Sequence, residues 1–502
     1  MSQESPMASV YRVHCPSFQS IVLATRCEVI ARPASDPSSL TTDTRDEMRG
    51  ACFVALVGEK FDGHAFIVQA AKAGASMAII ERALTAEESE GLADFEQAGF
   101  GLVRVRSTRR ALGALAHAWR RSILKLRVVA VTGSAGKTTT RRLLEGILSE
   151  AGPTHASPKS FNNDIGVPLT LLSTPDEAQF LVAEIGMSNP GEILPLTEIV
   201  EPEGAIITLA GRAHLAGMGS IEAVAAEKAS ILEAVPEHGF AIINGDNPPL
   251  LAAVERLVQT GRAPDRVATF GLSPGCDYRL VHRSPTAFGQ SIEIAFPVGA
   301  AGFEEGEPRQ RGFELRMPGE HNALNAVAAV AAATELGVPW ECIGAGLAKV
   351  AASDMRLERV EVDGRAVYND AYNANPDAMI ASLRAFAELA SGISRRVAIL
   401  GEMRELGPDA GALHEEVGAH AAANLGPLDA LVAVGPHAAA LVAAARTAGF
   451  TGQTLHADAF SEAVAIDAAE LAPRGSAILL KGSRGARMER FLEPLKSAFA
   501  TD

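Results

Sequence analysis

A segment near residue 130 has the residues of a phosphate-binding loop. An apolar run, residues 128–131, leads into Gly133, Gly136, Lys137 and Thr138. The two glycines let the backbone curl so that several N–H groups point inward at phosphate oxygens. A lysine at this place brings positive charge to the β- and γ-phosphates, and the threonine hydroxyl can bind Mg²⁺. We therefore predict a nucleotide-binding loop, supported by the positive N-terminal end of a helix that starts at Lys137.

The loop is shorter than the general Gly-x-x-x-x-Gly-Lys-Ser/Thr motif, because Val131 stands where the first glycine would be. The alternative is a glycine-rich turn with a solvated lysine. A buried strand before the turn and a helix after it favour nucleotide binding.

The elements that must position this loop alternate between strand and helix patterns. Strands are predicted at Cys52–Val57, Ser76–Ile80, Leu102–Val105, Val128–Thr132, Phe180–Ile185, Ala205–Leu209, Ala241–Ile243, Ala366–Tyr368, Val397–Leu400, Ala430–Val434 and Ala477–Leu480. Such alternation indicates parallel sheets covered by helices on both faces. Two further segments, Ser291–Phe296 and Phe313–Met317, alternate apolar and polar residues as half-exposed antiparallel strands do. Residues 1–40 are predicted to be irregular.

Composition limits the possible functions. The 502 residues are enough for about three domains. Lys and Arg total 45 against 60 Asp and Glu, a formal net charge of −15, which argues against binding to nucleic acid or an anionic membrane. The five cysteines are scattered, which favours a reducing compartment, and no apolar run is long enough to span a bilayer. We expect a cytoplasmic protein without membrane insertion.

Three single residues are ambiguous by themselves. Glu184 ends a predicted parallel strand, where it could bind Mg²⁺ or simply face solvent. Lys228 falls on the apolar stripe of a predicted helix, where its head group could have a buried function or could reach water at the stripe's edge. His214 precedes that helix in a loop, and a lone loop histidine is more often a surface residue.

Two segments in the last third follow strands and precede helices. In Asp370–Pro376, Asn375 before Pro376 suits a helix cap. Lys481–Arg484 could likewise begin a capped helix, or could grip a carboxylate or phosphate. The local sequence leaves both choices open.

In combination, these segments resemble the Mur ligase family of ATP-dependent amide-bond-forming enzymes over about residues 41–500. The resemblance rests on Thr42–Arg45, Phe53–His64, Thr132–Thr139, Phe161–Pro168, Glu184–Gly186, His214 with Lys228, His321–Asn322 with Asn325, Arg356, Asp370–Pro376, Gly401–Gly407 and Lys481–Arg484. The runs Tyr-Asn-Ala-Asn-Pro and Gly-x-Met-x-Glu-Leu-Gly are similar to the branch that adds D-alanyl-D-alanine. The Asp-Asn-Pro-Arg tetrapeptide of the diaminopimelate-adding branch is absent.

The resemblance implies an activity and its reactants. ATP would phosphorylate the terminal carboxylate of a UDP-N-acetylmuramoyl-tripeptide, and the amine of D-alanyl-D-alanine would attack the acyl phosphate to give an amide, ADP and phosphate. It also implies two Mg²⁺ sites, a carbamylated Lys228, and a role in cytoplasmic peptidoglycan precursor synthesis. We expect a monomer that binds no nucleic acid.

The resemblance also implies an α/β fold of three domains with separate tasks. Residues 1–105 would form a small N-terminal α/β domain that binds the UDP substrate. Residues 106–350 would form a central P-loop, parallel-sheet, ATPase-like domain, and residues 351–502 a C-terminal Rossmann-like α/β domain that binds the incoming amine.

Roles are carried over residue by residue. The ATP-binding residues would be Gly133, Ser134, Ala135, Gly136, Lys137, Thr138, Thr139, Asn325, Arg356 and Asp370. The metal ligands would be Thr138 and Glu184 for one Mg²⁺, and His214 with carbamylated Lys228 for the other; Lys137, Glu184, His214 and Lys228 would be catalytic. The substrate-binding residues would be Thr44, Arg45, Gly58, Lys60, His64, Asn162 and Asn163, with Tyr372, Asn373, Asn375, Lys481, Ser483 and Arg484 facing the dipeptide.

Some positions depart from the family pattern, among them Glu402, Ala371, Ala216, Met218 and Arg212. None of them removes a proposed metal or phosphate ligand. The alternatives are a diaminopimelate- or lysine-adding Mur ligase, a folylpolyglutamate or cyanophycin-type ligase, and a non-catalytic ATP-gated scaffold. The Thr42–His64 region argues against the folylpolyglutamate and cyanophycin types, which lack a UDP-binding domain of this kind.

Overall fold

The computed structural model describes residues 13–58, 61–158, 160–286, 289–300, 303, 307–352 and 355–497. They group into two compact units. The first comprises Met1–Ala130, Gly152–Met187 and Glu192–Glu203, and the second comprises Val131–Ala151, Ser188–Gly191 and Gly204–Asp502. No described helix is both long and apolar enough to cross a membrane.

The first unit begins with a five-stranded sheet in the order β1-β7-β6-β3-β2. Its elements are α1 (Phe18–Thr25), β1 (Glu28–Ala31), β2 (Ser39–Thr41), β3 (Ala51–Val54), β4 (Val57–Gly58), β5 (Phe61–Asp62), α2 (Ile67–Lys72), β6 (Met77–Ile80), α3 (Ala86–Gln97), β7 (Gly101–Arg104) and α4 (Thr108–Ser122). Strands β2, β3, β6 and β7 run parallel, and β1 pairs antiparallel to β7. The prediction that residues 1–40 are irregular is wrong for α1, β1 and the start of β2. Helix α1 is capped by Ser17, which accepts a hydrogen bond from the Ser20 backbone. Residues 1–12 lie outside the described residues.

The strand before the phosphate loop is β8 (Arg127–Thr132), and the helix after it is α5 (Lys137–Ala151). The first unit also contains β9 (Thr154–Ala156), α6 (Gly166–Leu172), β10 (Phe180–Glu184) and α7 (Ile193–Val200). Strand order in this part of the sheet is β8-β10-β9, with β10 parallel to β9. The predicted strand–loop–helix around Lys137 is therefore confirmed.

The second unit continues with a mixed sheet in the order β16-β15-β14-β13-β12-β11. Its elements are β11 (Gly204–Ile207), α8 (Leu215–Met218), α9 (Ile221–Ala229), β12 (Phe240–Asn244), α10 (Pro248–Gln259), β13 (Arg266–Gly271), β14 (Tyr278–Thr286), β15 (Gly289–Ala295), β16 (Gln310–Leu315), α11 (Glu320–Glu335) and α12 (Trp340–Lys349). Strands β11 to β14 pair parallel, whereas β14, β15 and β16 pair antiparallel. The change to antiparallel strands predicted from alternation is confirmed.

The last third of the chain forms a six-stranded sheet in the order β17-β18-β22-β19-β20-β21. Its elements are β17 (Glu358–Val362), β18 (Arg365–Asp370), α13 (Pro376–Leu389), β19 (Arg396–Gly401), α14 (Ala410–Asn424), β20 (Ala430–Val434), α15 (Ala438–Thr447), β21 (Gln453–Ala457), α16 (Glu462–Glu470), β22 (Ala477–Lys481) and α17 (Leu492–Ser497). All pairs except β17–β18 are parallel. Val397 and Ile399 enter one apolar core, and Ala398 and Leu400 enter the other, so β19 is covered on both faces.

Helix α5, which begins at the phosphate loop, is held by a close crossing with α12. A Cβ on Gly346 would clash with the backbone of Gly146 and Ile147, and a Cβ on Gly146 would clash with Val350. Glycine at this crossing lets the two helix backbones touch. The crossing therefore fixes the axis of the helix that presents Lys137.

We expect Gly346→Ala to lower the free energy of unfolding by about 1–3 kcal/mol, because the new methyl group forces the two helices apart. The control is Gly344→Ala in the same helix, where a Cβ meets only Phe313 at 4.0 Å. Thermal denaturation of the full chain measures both. Equal melting temperatures for the two variants would contradict a tight crossing.

Candidate active site

The phosphate loop has the conformation that its glycines permit. Gly133 has φ +152° and Gly136 has φ +84°. A side chain at Gly133 would collide with Thr208, and one at Gly136 would collide with the Asn325 amide. Both positions therefore require glycine, and no side chain covers the backbone at these two positions.

Lys137, Thr138 and Arg356 lie together at the start of α5. The Lys137 Nζ donates to the Gly133 carbonyl at 2.6 Å. Arg356 Nη2 donates to Thr138 Oγ1 at 3.0 Å, and the guanidinium lies over the Tyr372 ring, 3.8 Å from its centroid. The structure thus brings predicted ATP-binding residues from two distant parts of the sequence to one loop, and it adds Tyr372, which was expected to face the dipeptide.

Two asparagines border the same loop. Asn325 Oδ1 accepts from Thr140 Oγ1 at 3.3 Å, next to Gly136. Asn375 caps α13 by accepting from the Ala378 backbone at 2.9 Å, and its amide donates to the Ser134 carbonyl at 3.3 Å. Asn375, expected on the dipeptide side, therefore contacts the phosphate loop.

Lys137, Lys228 and His214 influence one another electrostatically. Lys228 is 1% exposed at the end of α9, and burial together with the charge of Lys137 holds the pKa of its amine well below the ordinary value. Burial and the charges of Lys137 and Lys228 also lower the pKa of His214, against the opposing effect of Glu405, whose carboxylate bonds His214 Nδ1 at 2.6 Å. The stripe-edge interpretation of Lys228 is wrong, since its head group is enclosed. A cluster of mutually repelling basic groups is suited to binding an anion.

The expected second Mg²⁺ site does not fit these residues as they stand. Mg²⁺ prefers oxygen ligands, whereas Lys228 and His214 offer nitrogens. A carbamate would supply oxygen, but a carbamylated Lys228 is not supported, and its free amine does not suit Mg²⁺.

Asp370 and Lys481 form a buried ion pair across the neighbouring ends of β18 and β22. Their Oδ2–Nζ distance is 2.7 Å, and the two residues are paired in register. Asp370 also accepts from the Ser382 hydroxyl and, at 3.2 Å, from the Leu357 backbone N–H. Since its carboxylate is occupied by protein donors, the structure assigns Asp370 to holding the segment next to Arg356 rather than to contacting ATP.

The other residues expected at the dipeptide hold loops in this structure. Lys481 also donates to the Asn373 carbonyl at 3.2 Å, and the Asn373 side chain accepts from the Ala374 backbone at 2.9 Å. Ser483 Oγ accepts from the Arg404 N–H at 2.9 Å. Arg484 is more than half exposed and pairs with Glu489 at 2.6 Å.

In the first unit, Glu184 is buried at the end of β10 with 1% exposure. Its Oε1 accepts from the Asn162 amide at 2.8 Å, and its backbone N–H donates to Ser157 Oγ at 2.9 Å. Asn163 instead caps the start of α6, accepting from the Gly166 N–H at 2.8 Å. The solvent-facing alternative for Glu184 is therefore wrong. Among the described residues, no group of three or more His, Cys, Asp or Glu side chains that could hold a metal ion occurs.

The residues expected to hold the UDP end differ in their surroundings. Thr44 is half-buried, and Arg45 is exposed and pairs with Asp43, holding the pKa of that carboxyl below its ordinary value. His64 is fully buried, with Nδ1 bonded to Asp62 at 2.6 Å and Nε2 accepting from the Glu81 N–H at 3.0 Å. The prediction that His64 binds substrate is therefore replaced by a structural role, since both ring nitrogens are used. Lys60 lies outside the described residues.

Sequence reasoning missed Arg109 and Glu405. Arg109 Nη1 pairs with Asp164 at 2.7 Å and its Nε donates to the Val57 carbonyl at 3.1 Å, beside Gly58. Glu405 has φ +63° and bonds His214. Arg109 carried no signal beyond its place in the first turn of a helix. Glu405 belongs to the Gly401–Gly407 run, which supported the family resemblance but predicted no role for this residue.

Comparison with known proteins assigns most of the chain to one family. Family models match for the Mur ligase family catalytic domain over residues 38–120, the Mur ligase middle domain over 131–333 and the Mur ligase glutamate ligase domain over 355–484. The three matches agree with the predicted fold of N-terminal, central and C-terminal α/β domains. The boundaries at residues 105 and 350 stay predictions.

Relatives and solved structures agree with this assignment. UDP-N-acetylmuramoyl-tripeptide–D-alanyl-D-alanine ligase of Escherichia coli is 34% identical, covering 91% of this chain and 93% of its own, and that of Bacillus subtilis is 32% identical, covering 91% and 92%. MurF of Acinetobacter baumannii superposes with a TM-score of 0.81 at 30% identity, covering 96% of this chain and 98% of its own. MurF ligase of Thermotoga maritima, solved with ADP, gives a TM-score of 0.76 at 26% identity, covering 95% and 98%. On these findings, the chain belongs to the Mur ligase family.

Proposed function

We propose that this chain is an ATP-dependent ligase that joins D-alanyl-D-alanine to a UDP-N-acetylmuramoyl-tripeptide, releasing ADP and phosphate. The observation that carries the proposal is the set of basic groups around a glycine-built phosphate loop. Relatives that match over nine-tenths of the chain bear the name of this activity, as the sequence led us to expect. A cytoplasmic location and a monomeric state stay predictions.

The reaction brings several anions into one place, so charge neutralisation is the main requirement on the protein. The loop backbone and Lys137 bind the β- and γ-phosphates, and Arg356 approaches the same phosphates from the last third of the chain. Transfer of the γ-phosphoryl group to the tripeptide carboxylate makes an acyl phosphate. The amine of the dipeptide then attacks the acyl carbon, and phosphate leaves as the amide forms.

The buried amine of Lys228 and the imidazole of His214 complete the basic cluster. We expect both to bind the transferring phosphoryl group, because the charge of Lys137 lowers the pKa of each of them. Mg²⁺ supplies further positive charge to the phosphates when nucleotide binds. Thr138 stays the predicted hydroxyl ligand of Mg²⁺, and Glu184 stays a predicted carboxylate ligand.

The substrates themselves test the proposal. We expect phosphate release only when a UDP-N-acetylmuramoyl-tripeptide, D-alanyl-D-alanine and Mg·ATP are all present, because each anion must be in place before transfer is productive. A coupled phosphate assay with each reactant omitted in turn measures this. Equal turnover with diaminopimelate or lysine as the sole amine would favour another Mur ligase activity, and binding of ATP without any turnover would favour the scaffold alternative.

Removal of the loop lysine gives a second test. Lys137→Ala should lower kcat/KM by about 100- to 1,000-fold, the usual effect of losing one preorganised donor to a transferring group. The control is Lys349→Ala, which removes only an exposed ion pair to Glu150 on α5. If both variants retain wild-type kcat/KM, the loop does not bind the reacting phosphates.

A substitution at Lys228 tests its part in the reaction separately from its effect on stability. Lys228→Met keeps the side-chain volume and removes a buried amine, so we expect a melting temperature equal to or above wild type and a fall in kcat of about 100-fold. Val224→Ala in the same helix is the control, since its buried methyl groups support stability alone. Unchanged activity in Lys228→Met would show that the amine has no part in the reaction.

A further inference from the structure

The segment Gly211–Arg212 is bonded directly to the phosphate loop. The Ser134 hydroxyl donates to the Gly211 carbonyl at 3.2 Å and accepts from the Gly211 N–H at 2.9 Å. The Ser134 N–H donates to the Leu209 carbonyl at 2.7 Å. Movement of Gly211 is therefore transmitted to the backbone of a loop residue that surrounds the phosphates.

Arg212 joins this segment to the first turn of α13. Its backbone N–H donates to Asp377 Oδ2 at 2.8 Å, and its guanidinium donates to Asp377 Oδ1 at 3.0 and 2.7 Å. Glu416 is a second acidic partner of the guanidinium. A Cβ on Gly211 would crowd the Asp377 carboxylate, so the approach is close. Several charge-assisted hydrogen bonds to one carboxylate make a contact that is both strong and specific in geometry.

The contacts close into a ring around Ser134. Asp377 lies two residues after Asn375, whose amide donates to the Ser134 carbonyl at 3.3 Å. Ser134 is thus held through its hydroxyl by Gly211 and through its carbonyl by Asn375, and the Arg212–Asp377 pair fixes the distance between those two supports.

Helix α13 is also held by a second ion pair. At the other end of α13, Glu388 pairs with Arg283 of β14 through two hydrogen bonds of 2.8 and 2.6 Å. The helix therefore stays docked at its far end when Asp377 is changed. Loss of the Asp377 carboxylate therefore removes only the contact with Arg212 beside the phosphate loop.

We propose that Arg212 and Asp377 are positioning residues for the nucleotide, which set the phosphate loop in its binding conformation by holding Gly211 and Asn375 on opposite sides of Ser134. The inference rests on the proposed function for the identity of the nucleotide.

The test compares Asp377→Asn, Arg212→Met and the double variant with Glu388→Gln, using titration of a fluorescent ATP analogue and steady-state ligation. We expect the first two to weaken binding of the analogue and raise KM for ATP by about tenfold, with kcat and KM for the dipeptide little changed. The double variant should be no worse than either single one, because the two residues act through the same contact. Glu388→Gln should bind the analogue as the wild type does.

Three results would overturn the proposal: wild-type affinity in Asp377→Asn, an equal loss in Glu388→Gln, or additive losses in the double variant. Melting temperatures identify a variant that fails to fold, in which case the other single variant decides. The binding measurement does not require ligation. If the wild-type protein binds the analogue but does not ligate, the proposed function is contradicted. The variants' affinities for the analogue still decide whether Arg212 and Asp377 position the loop.

Discussion

The arrangement of the site depends on holding Lys137, Lys228 and His214 near one another although they repel. Burial and mutual repulsion lower the pKa values of Lys228 and His214, which is the cost of assembling positive groups away from water. The surrounding structure provides the support: Lys228 is buried in the last turn of α9, Glu405 bonds His214, and the crossing of α5 with α12 fixes the helix that begins at Lys137. An anionic ligand would relieve the repulsion, so binding energy is available where the phosphates are expected.

The net charge of −15 gives this arrangement its selectivity. Much of the basic surface of the chain is already paired with acids, as in Arg45–Asp43, Arg109–Asp164 and Arg484–Glu489. Cations placed inside a loop recognise a ligand that fits there, whereas a broad basic face would attract polyanions without discrimination. At the phosphate loop, the fold of this acidic chain brings Lys137 and Arg356 together.

The sequence predicted those features whose cause is local. Strand β8, the two glycines and α5 follow from apolar runs and backbone requirements that lie within a few residues, and the antiparallel β15–β16 pair follows from alternation. The failures were contacts between distant segments. Nothing near His64 indicates that the backbone N–H of Glu81, 17 residues further along the chain, bonds its Nε2. Nothing near Asp370 indicates that Lys481, on a neighbouring strand, takes its carboxylate. Asn375 was correctly given as a helix cap, yet its second amide contact with Ser134 depends on how two sheets pack.

The proposed function depends on the basic cluster around the phosphate loop, which we expect to bind the transferring phosphate of ATP. The most direct measurement is a crystal structure of the full chain with Mg²⁺ and a non-hydrolysable ATP analogue. We expect β- and γ-phosphates within hydrogen-bond distance of the loop N–H groups and Lys137 Nζ, with Arg356, Lys228 and His214 around the γ-phosphate. An analogue bound elsewhere, or phosphates that leave Lys137 and Arg356 in solvent, would contradict it.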